Sequence, residues 1–316
     1  MVRVGAPTRE PEVDVELEPG REALVRVAVA TLWTDPGATR PVDRPALAVP
    51  SDTDGWITGM DASQRVGDCV LSQLLLGERV LVTALHPDGW ARVVAVQQAA
   101  PRLDARGYPG WLPTAQLTPA TPDGGPADPL VVDAVSTGLR VAPAGPVALA
   151  GVVLGTRLHQ AGPAVDGWRP VRAPGRPDPL WVAETDVTDL PATPPTADDV
   201  LAVATRLRDV AYVWGGLSGH GIDCSGLVHL VWRRLGVTLP RDADDQAAAT
   251  TPVPAGEERP GDLYFFARPG RGIHHVGLVT AGRGPRMLHA CYRQRRVLTE
   301  PLPPDRVATL VGVHRV

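Results

Sequence analysis

The chain carries three thiols, Cys69, Cys224 and Cys291. An odd number with no paired short spacing argues against a disulfide framework and leaves at least one thiol free. A free cysteine is by default a small buried hydrophobe, so context must single out any that does chemistry. Cys224 has such a context. Cys224-Ser225-Gly226 runs into LVHLVWRRLG, where Leu227, Val228, Leu230, Val231 and Leu235 keep helical spacing, which places Cys224 at a helix N-terminus. There the positive end of the helix dipole and the unpaired backbone N–H groups favour thiolate over thiol. The same N–H groups offer an oxyanion site for the intermediate formed when that sulfur attacks a carbonyl, and Gly226 lets the backbone approach closely.

A nucleophilic thiol needs a base, and the histidines after it are His229, His274, His275, His289 and His314. His229 lies five residues into the same helix and faces elsewhere, and His314 lies close to the C-terminus. In HHVGLVTA, strand alternation sends His274 and His275 to opposite faces, so one of the two meets the helix start. In RMLHACY, His289 and Cys291 share a face while Ala290 turns away, and two adjacent strands can put a base and its orienting partner in line. Cys224, His275, His289 and Cys291 also have the residue types of a zinc site. Their spacing lacks the paired ligands two to four residues apart of structural zinc, except at His289 and Cys291. No metal or other cofactor is therefore expected.

These residues sit in a chain of 316 residues, 44% hydrophobic, long enough for two or three packed cores. With 31 basic against 35 acidic side chains and a net charge of -4, it has no basic field for phosphate contacts, so nucleic acid is not an expected partner. No apolar run approaches a membrane span. The first thirty residues mix Arg3, Arg9, Glu10, Asp14 and Glu18 among apolar positions, so no secretory segment is visible. A cytoplasmic location is the expectation, with secretion or wall association the alternative.

Pro- and Gly-rich seams at Thr118 to Pro129 and Leu190 to Thr196 divide the chain into thirds, read as 22–120, 126–190 and 194–316. The first holds short β-favouring runs, ALVRVAVAT from Ala23, ERVLVT from Glu78 and WARVVAV from Trp90, and predicts a small barrel. Asp61 to Leu75 reads as a helical insertion into it. The second, with VVDAV, LRVAP, GTRLHQAG, GWRPVRA and PLWVAETDV, predicts another small barrel. The last is α+β: Thr196 is a helix N-cap with Asp198 and Asp199 in the first turn, and Val200, Leu201, Val203, Ala204 and Leu207 form a buried stripe.

Taken in order, Tyr212-Val213-Trp214-Gly215-Gly216, Gly221-Ile222-Asp223-Cys224-Ser225-Gly226-Leu227-Val228, Pro260-Gly261-Asp262-Leu263, His275-Val276-Gly277-Leu278 and Leu288-His289-Ala290 resemble the NlpC-type peptidases of bacterial cell-wall metabolism. The resemblance spans essentially the whole last third and implies a papain-like fold. It also implies roles: Cys224 as nucleophile, His275 as general base, His289 as the group orienting it, and Tyr212 as an oxyanion contact. Both earlier thirds resemble bacterial SH3-type domains, each closing on a Trp step, GWLPTAQL from Gly110 and PLWVAETDV from Pro179. Each Trp there reads as a core anchor rather than a stacking platform.

The resemblance extends to the γ-D-glutamyl-diamino acid endopeptidases that carry such domains. Gly107-Tyr108-Pro109-Gly110-Trp111 is similar to a segment whose Tyr closes the active site, QLLLGE from Gln73 to Glu78 is similar to another, and Arg241-Asp242-Ala243 resembles an Arg-Asp-Ser step that binds a free amino terminus. Ala243 departs from that pattern by one hydroxyl. The implied substrate contacts are Tyr108, Asp223, Ser225, Asp242 and Glu78, and the implied partners are peptidoglycan-derived peptides, L-Ala-γ-D-Glu-diamino acid. An amine site must supply carboxylates on physical grounds alone, since a buried ammonium is costly unless paired. Asp223 has an equally good reading as the N-cap of the Cys224 helix. The alternative overall is a non-catalytic wall-peptide binder using the SH3-like domains.

Overall fold

The computed structural model describes residues 16–120 and 129–316. Most of the seam expected at 118–129, the start of the domain expected at 126–190, and the charged residues Arg3 to Asp14 lie outside the described residues. Among the described residues no helix is long and apolar enough to cross a membrane.

Three sheets follow one another along the chain. The first has seven strands, with Val70–Leu75 at one edge beside Val29–Trp33, and Leu117–Pro119 at the other beside Glu22–Val25. The second also has seven, from Val147–Val153 at one edge to Val187–Thr188 at the other. Neither pairs its edge strands with each other, so the small barrels expected from the sequence are two β-sheet units whose hydrogen bonding does not close. Each still wraps a core of its own, Ala30, Leu32, Val82 and Leu112 in the first and Leu139, Val152, Leu158 and Val182 in the second.

The helical insertion expected over Asp61 to Leu75 is not formed. Gln64–Val66 makes a single 3-10 turn, and Val70–Leu75 is a strand antiparallel to Val29–Trp33. Short helices occur earlier, at Arg44–Leu47 and Thr53–Gly59. The strand loses the alternation of a half-exposed one because both of its faces are covered. Leu74 packs in the first core, whereas Leu75 packs in the core of the third unit with Val29, Val153 and Leu154. A two-sided strand reads as a continuous apolar run, which periodicity cannot separate from a buried helix.

The third unit opens on the helix Ala197–Thr205. Its start is a capping box: Thr196 Oγ1 accepts from the Asp199 N–H at 3.2 Å and Asp199 accepts from the Thr196 N–H at 2.8 Å. Val200, Val203 and Ala204 are buried from it, as is Leu207 just past its end. The helix Cys224–Arg234 is buried over nearly its whole length, packed on the strands Ile273–Val279 and Arg286–Cys291. These belong to a nine-stranded sheet whose centre runs Ala211–Tyr212, Arg296–Pro301, Arg286–Cys291, Ile273–Val279, Leu263–Ala267, Leu310–Arg315. This order puts the Tyr212 strand, the two histidine strands and the nucleophile helix around one point.

Candidate active site

Cys224 is the first residue of its helix, and Asp223 is its N-cap, accepting from the Gly226 N–H at 2.6 Å. Asp223 is engaged far beyond that cap. It also accepts from the Gly215 N–H at 2.9 Å, from Ser225 Oγ at 3.3 Å, and from both Nη atoms of Arg241 at 3.0 and 2.8 Å. The fully buried Arg241 guanidinium adds Ser225 Oγ at 3.0 Å, the Gly216 carbonyl at 3.3 Å and Ser72 Oγ at 2.9 Å from the first unit. One cation thus ties the cap, the Gly215-Gly216 turn and a neighbouring strand together. The glycines are required: Gly215 has φ +74, and a Cβ on Gly216 would lie 2.5 Å from the Gly221 carbonyl oxygen.

The thiol faces the sheet. Backbone N–H groups of Val276, the residue after His275, and of Ser225 are directed at the Cys224 sulfur. Burial, with the Asp223 charge second, nevertheless pushes this thiol up to about 12, against those N–H groups and Arg241. Burial, with His289 second, holds His275 well below the ordinary imidazole range. Burial thus opposes both the thiolate that the helix dipole favours and the imidazolium that would pair with it.

His275 is buried while His274 is exposed, which resolves the choice between them. His275 Nε2 lies 2.7 Å from His289 Nδ1, and His289 Nε2 lies 3.1 Å from Glu300 Oε1 on the next strand. A carboxylate accepts, so His289 carries its proton on Nε2 and accepts at Nδ1. His275 then carries its proton on Nε2 and leaves Nδ1 as a lone pair. Burial opposes a charge on His289, but its hydrogen bonds with Cys291 and Glu300 outweigh it and raise this ring above the ordinary range. Tyr212 is buried, its ring edge-on to Tyr292 at 5.6 Å between centroids. Its phenol is pushed up by burial and then by the nearby Cys224.

Asp242 comes in from the other side. Its side chain does not cap the helix Ala243–Ala248 that follows, but accepts from Tyr108 OH of the first unit at 3.1 Å. Burial raises both groups. Arg102 bridges the same units through Asp244 and, at 2.8 Å, Asp245. Cys224, His275, His289 and Tyr212 are thus brought together, with Asp223, Ser225, Asp242 and Tyr108 beside them. Glu78 is not. It is 1% exposed and pairs with Arg233, in the last turn of the Cys224 helix, at 3.0 Å. The expected substrate contact is a buried interdomain ion pair some two turns and more from the sulfur. Of the four residues with zinc-like chemistry, only His289 and Cys291 fall in one potential ligand group among the described residues, joined there by Glu300.

Sequence reasoning missed Glu300 and gave Arg241 no role. Glu300 was detectable in principle: His289 is paired with Leu298, so position 300 is its diagonal neighbour on the same face.

Residues 209–307 match the NlpC/P60 family. Over 274 residues, 83% of this chain and 88% of the relative, it is 33% identical to the gamma-D-glutamyl-L-lysine dipeptidyl-peptidase of Bacillus subtilis strain 168. The chain belongs to the NlpC/P60 family. The Bacillus cereus protein of the same name is 31% identical over 309 residues, 93% of this chain and 90% of that protein. The crystal structure of an NlpC/P60 family protein from Bacillus cereus ATCC 10987 aligns with a TM-score of 0.82 at 28% identity, covering 93% of this chain and 99% of that one. The protein is accordingly a cysteine-type peptidase, with β-sheet units ahead of its NlpC/P60 unit.

Proposed function

We propose that this peptidase cleaves the γ-D-glutamyl to diamino acid bond of peptidoglycan stem peptides bearing a free N-terminal L-Ala, with Cys224 as nucleophile. His275 Nδ1 takes the thiol proton as the sulfur adds to the γ-carbonyl carbon. The resulting oxyanion is met by N–H groups of the helix start and by Tyr212 OH. The intermediate collapses, breaking the C–N bond, and His275 hands its proton to the leaving amine. Water, deprotonated by the same ring, then attacks the thioester and frees the dipeptide and the thiol. His289, backed by Glu300, keeps the base in the accepting tautomer.

The observation that carries the substrate reading is the half-buried Asp242 carboxylate, next in sequence to the Arg241 that holds the helix cap and with a Tyr108 hydroxyl as its side-chain partner. Burial raises this carboxylate, and the nearby Arg241 is bound to Asp223, so Asp242 is left to suit an ammonium. Asp223 and Ser225, saturated by Arg241 and backbone donors, act by holding the helix start rather than by binding substrate. The names of the Bacillus relatives, with γ-D-glutamyl-L-lysine as the bond, support the same substrate class. In this reading residues 22–120 and 126–190 are SH3-like units, the first supplying Tyr108, and 194–316 is the catalytic unit. The reaction serves recycling of wall fragments inside the cell.

Incubation with L-Ala-γ-D-Glu-L-Lys and its N-acetylated form tests this. Release of lysine from the free peptide alone supports the amine site, and equal cleavage of both forms defeats it.

A further inference from the structure

A ring nitrogen of His289, Cys291 Sγ and a Glu300 oxygen all lie within 4.8 Å of one another. Imidazole, thiolate and carboxylate are the three ligand types zinc takes, and three protein ligands with an open fourth position make a workable tetrahedral site. One edge of the site is already set. At zinc bond lengths of about 2.0 to 2.2 Å, two tetrahedral N and O ligands stand about 3.3 Å apart, and His289 Nε2 and Glu300 Oε1 are already 3.1 Å apart. The ion would replace the proton these two atoms share. Glu300 keeps 23% of its side-chain surface exposed and gives the way in.

Occupation has a consequence for the base. Zinc at His289 Nε2 displaces the proton there, and the ring then takes the proton of His275 Nε2 onto its own Nδ1. Nδ1–H then donates to His275 Nε2, now an acceptor, and His275 regains its neutral form by taking up a proton at Nδ1. That is the atom which has to receive the proton of Cys224. We propose that His289, Cys291 and Glu300 form an inhibitory zinc site that switches the peptidase off by reversing the tautomers of both histidines, without touching the nucleophile. Binding releases one proton net, that of the Cys291 thiol, because the proton lost at His289 Nε2 is matched by the one gained at His275 Nδ1. Nothing is oxidised, and chelation restores the original state.

The inhibition rests on His275 being the base, whereas the binding does not, so two measurements on the full chain separate them. Binding is read in the Cys224→Ala protein by titrating Co2+ and following the thiolate-to-cobalt band in the near ultraviolet. One equivalent should bind and be displaced by Zn2+, and adding Cys291→Ser should abolish the band. Serine still accepts the Gln294 N–H that now meets the Cys291 sulfur at 3.4 Å, but it is a poor ligand for these metals. Activity is read on the lysine tripeptide: Zn2+ should inhibit the parent protein reversibly, and Cys291→Ser should stay active and need at least about tenfold more Zn2+. A cobalt band that survives Cys291→Ser, or no band at all, overturns the site. Unchanged zinc sensitivity of Cys291→Ser overturns the switch. A parent protein inactive on the tripeptide counts against the substrate reading and leaves the cobalt result standing.

Discussion

The two ends of the Cys224 helix are each held by a buried ion pair, and the two pairs do different things. At the N-terminus Arg241 binds Asp223, the cap of the helix, and reaches Ser72 of the first unit. At the C-terminus Arg233 binds Glu78 of the first unit and donates to the Gly155 carbonyl of the second at 3.2 Å. Both join separate units through one helix. Only the first touches groups that fix the sulfur and its N–H donors. A buried charge is thus no sign of a functional site by itself, and what its partners hold decides the matter.

The largest expected effect is from Arg241→Ala, which leaves Asp223 buried without its cation. Urea unfolding should show a loss of about 3 to 5 kcal/mol, and kcat/KM of the folded fraction should fall by at least about a hundredfold. Arg241→Lys should recover little, because an ammonium cannot bridge both carboxylate oxygens, Ser72 and Gly216 together. At the other end Arg233→Met should cost comparable stability, yet kcat/KM per folded molecule should stay within about twofold. Replacing Glu78 and Arg233 together by apolar residues of similar size should recover much of that loss. A large activity defect in the folded Arg233 variant would erase the distinction between the two ends.

A smaller effect is expected at the relay. His289 takes up the pair's first proton, and its raised affinity puts that step above the ordinary imidazole range. With His289 charged, its Nδ1–H occupies His275 Nε2 and the base loses its lone pair at Nδ1. Activity should therefore be present above that pKa and fall as pH drops through it. Glu300→Gln removes a group that raises His289, so the acid limb should move to lower pH while kcat drops about tenfold. KM should change little. An acid limb that stays put would exclude Glu300 from the relay.

Much of this was legible because it is local. The Thr196 capping box, the helix beginning at Cys224 and the alternation separating His274 from His275 each need fewer than a dozen residues. Arg241 and Glu78 were both misjudged because their partners are remote: Ser72 lies 169 positions from Arg241, and Glu78 meets Arg233 across an interface. The Val70–Leu75 strand failed for the same reason, since its second buried face belongs to another unit's core. The burial that opposes the Cys224 thiolate was not legible either, since sequence shows only the dipole that favours it.

The smallest effect belongs to Tyr108→Phe. It removes one hydrogen bond to Asp242, worth about 1 kcal/mol, and should raise KM for the free tripeptide about fivefold while leaving kcat and cleavage of acetylated peptide unchanged. Loss of kcat instead would move Tyr108 from binding to chemistry.

The central claim is that the sulfur of Cys224 forms the acyl bond. It is tested most directly by incubating the parent protein and Cys224→Ala with L-Ala-γ-D-Glu-L-Lys and identifying products by mass spectrometry, with matched circular dichroism as the check on folding. The account predicts lysine and the dipeptide from the parent protein and intact tripeptide from the variant. Hydrolysis persisting in a folded Cys224→Ala protein would contradict it.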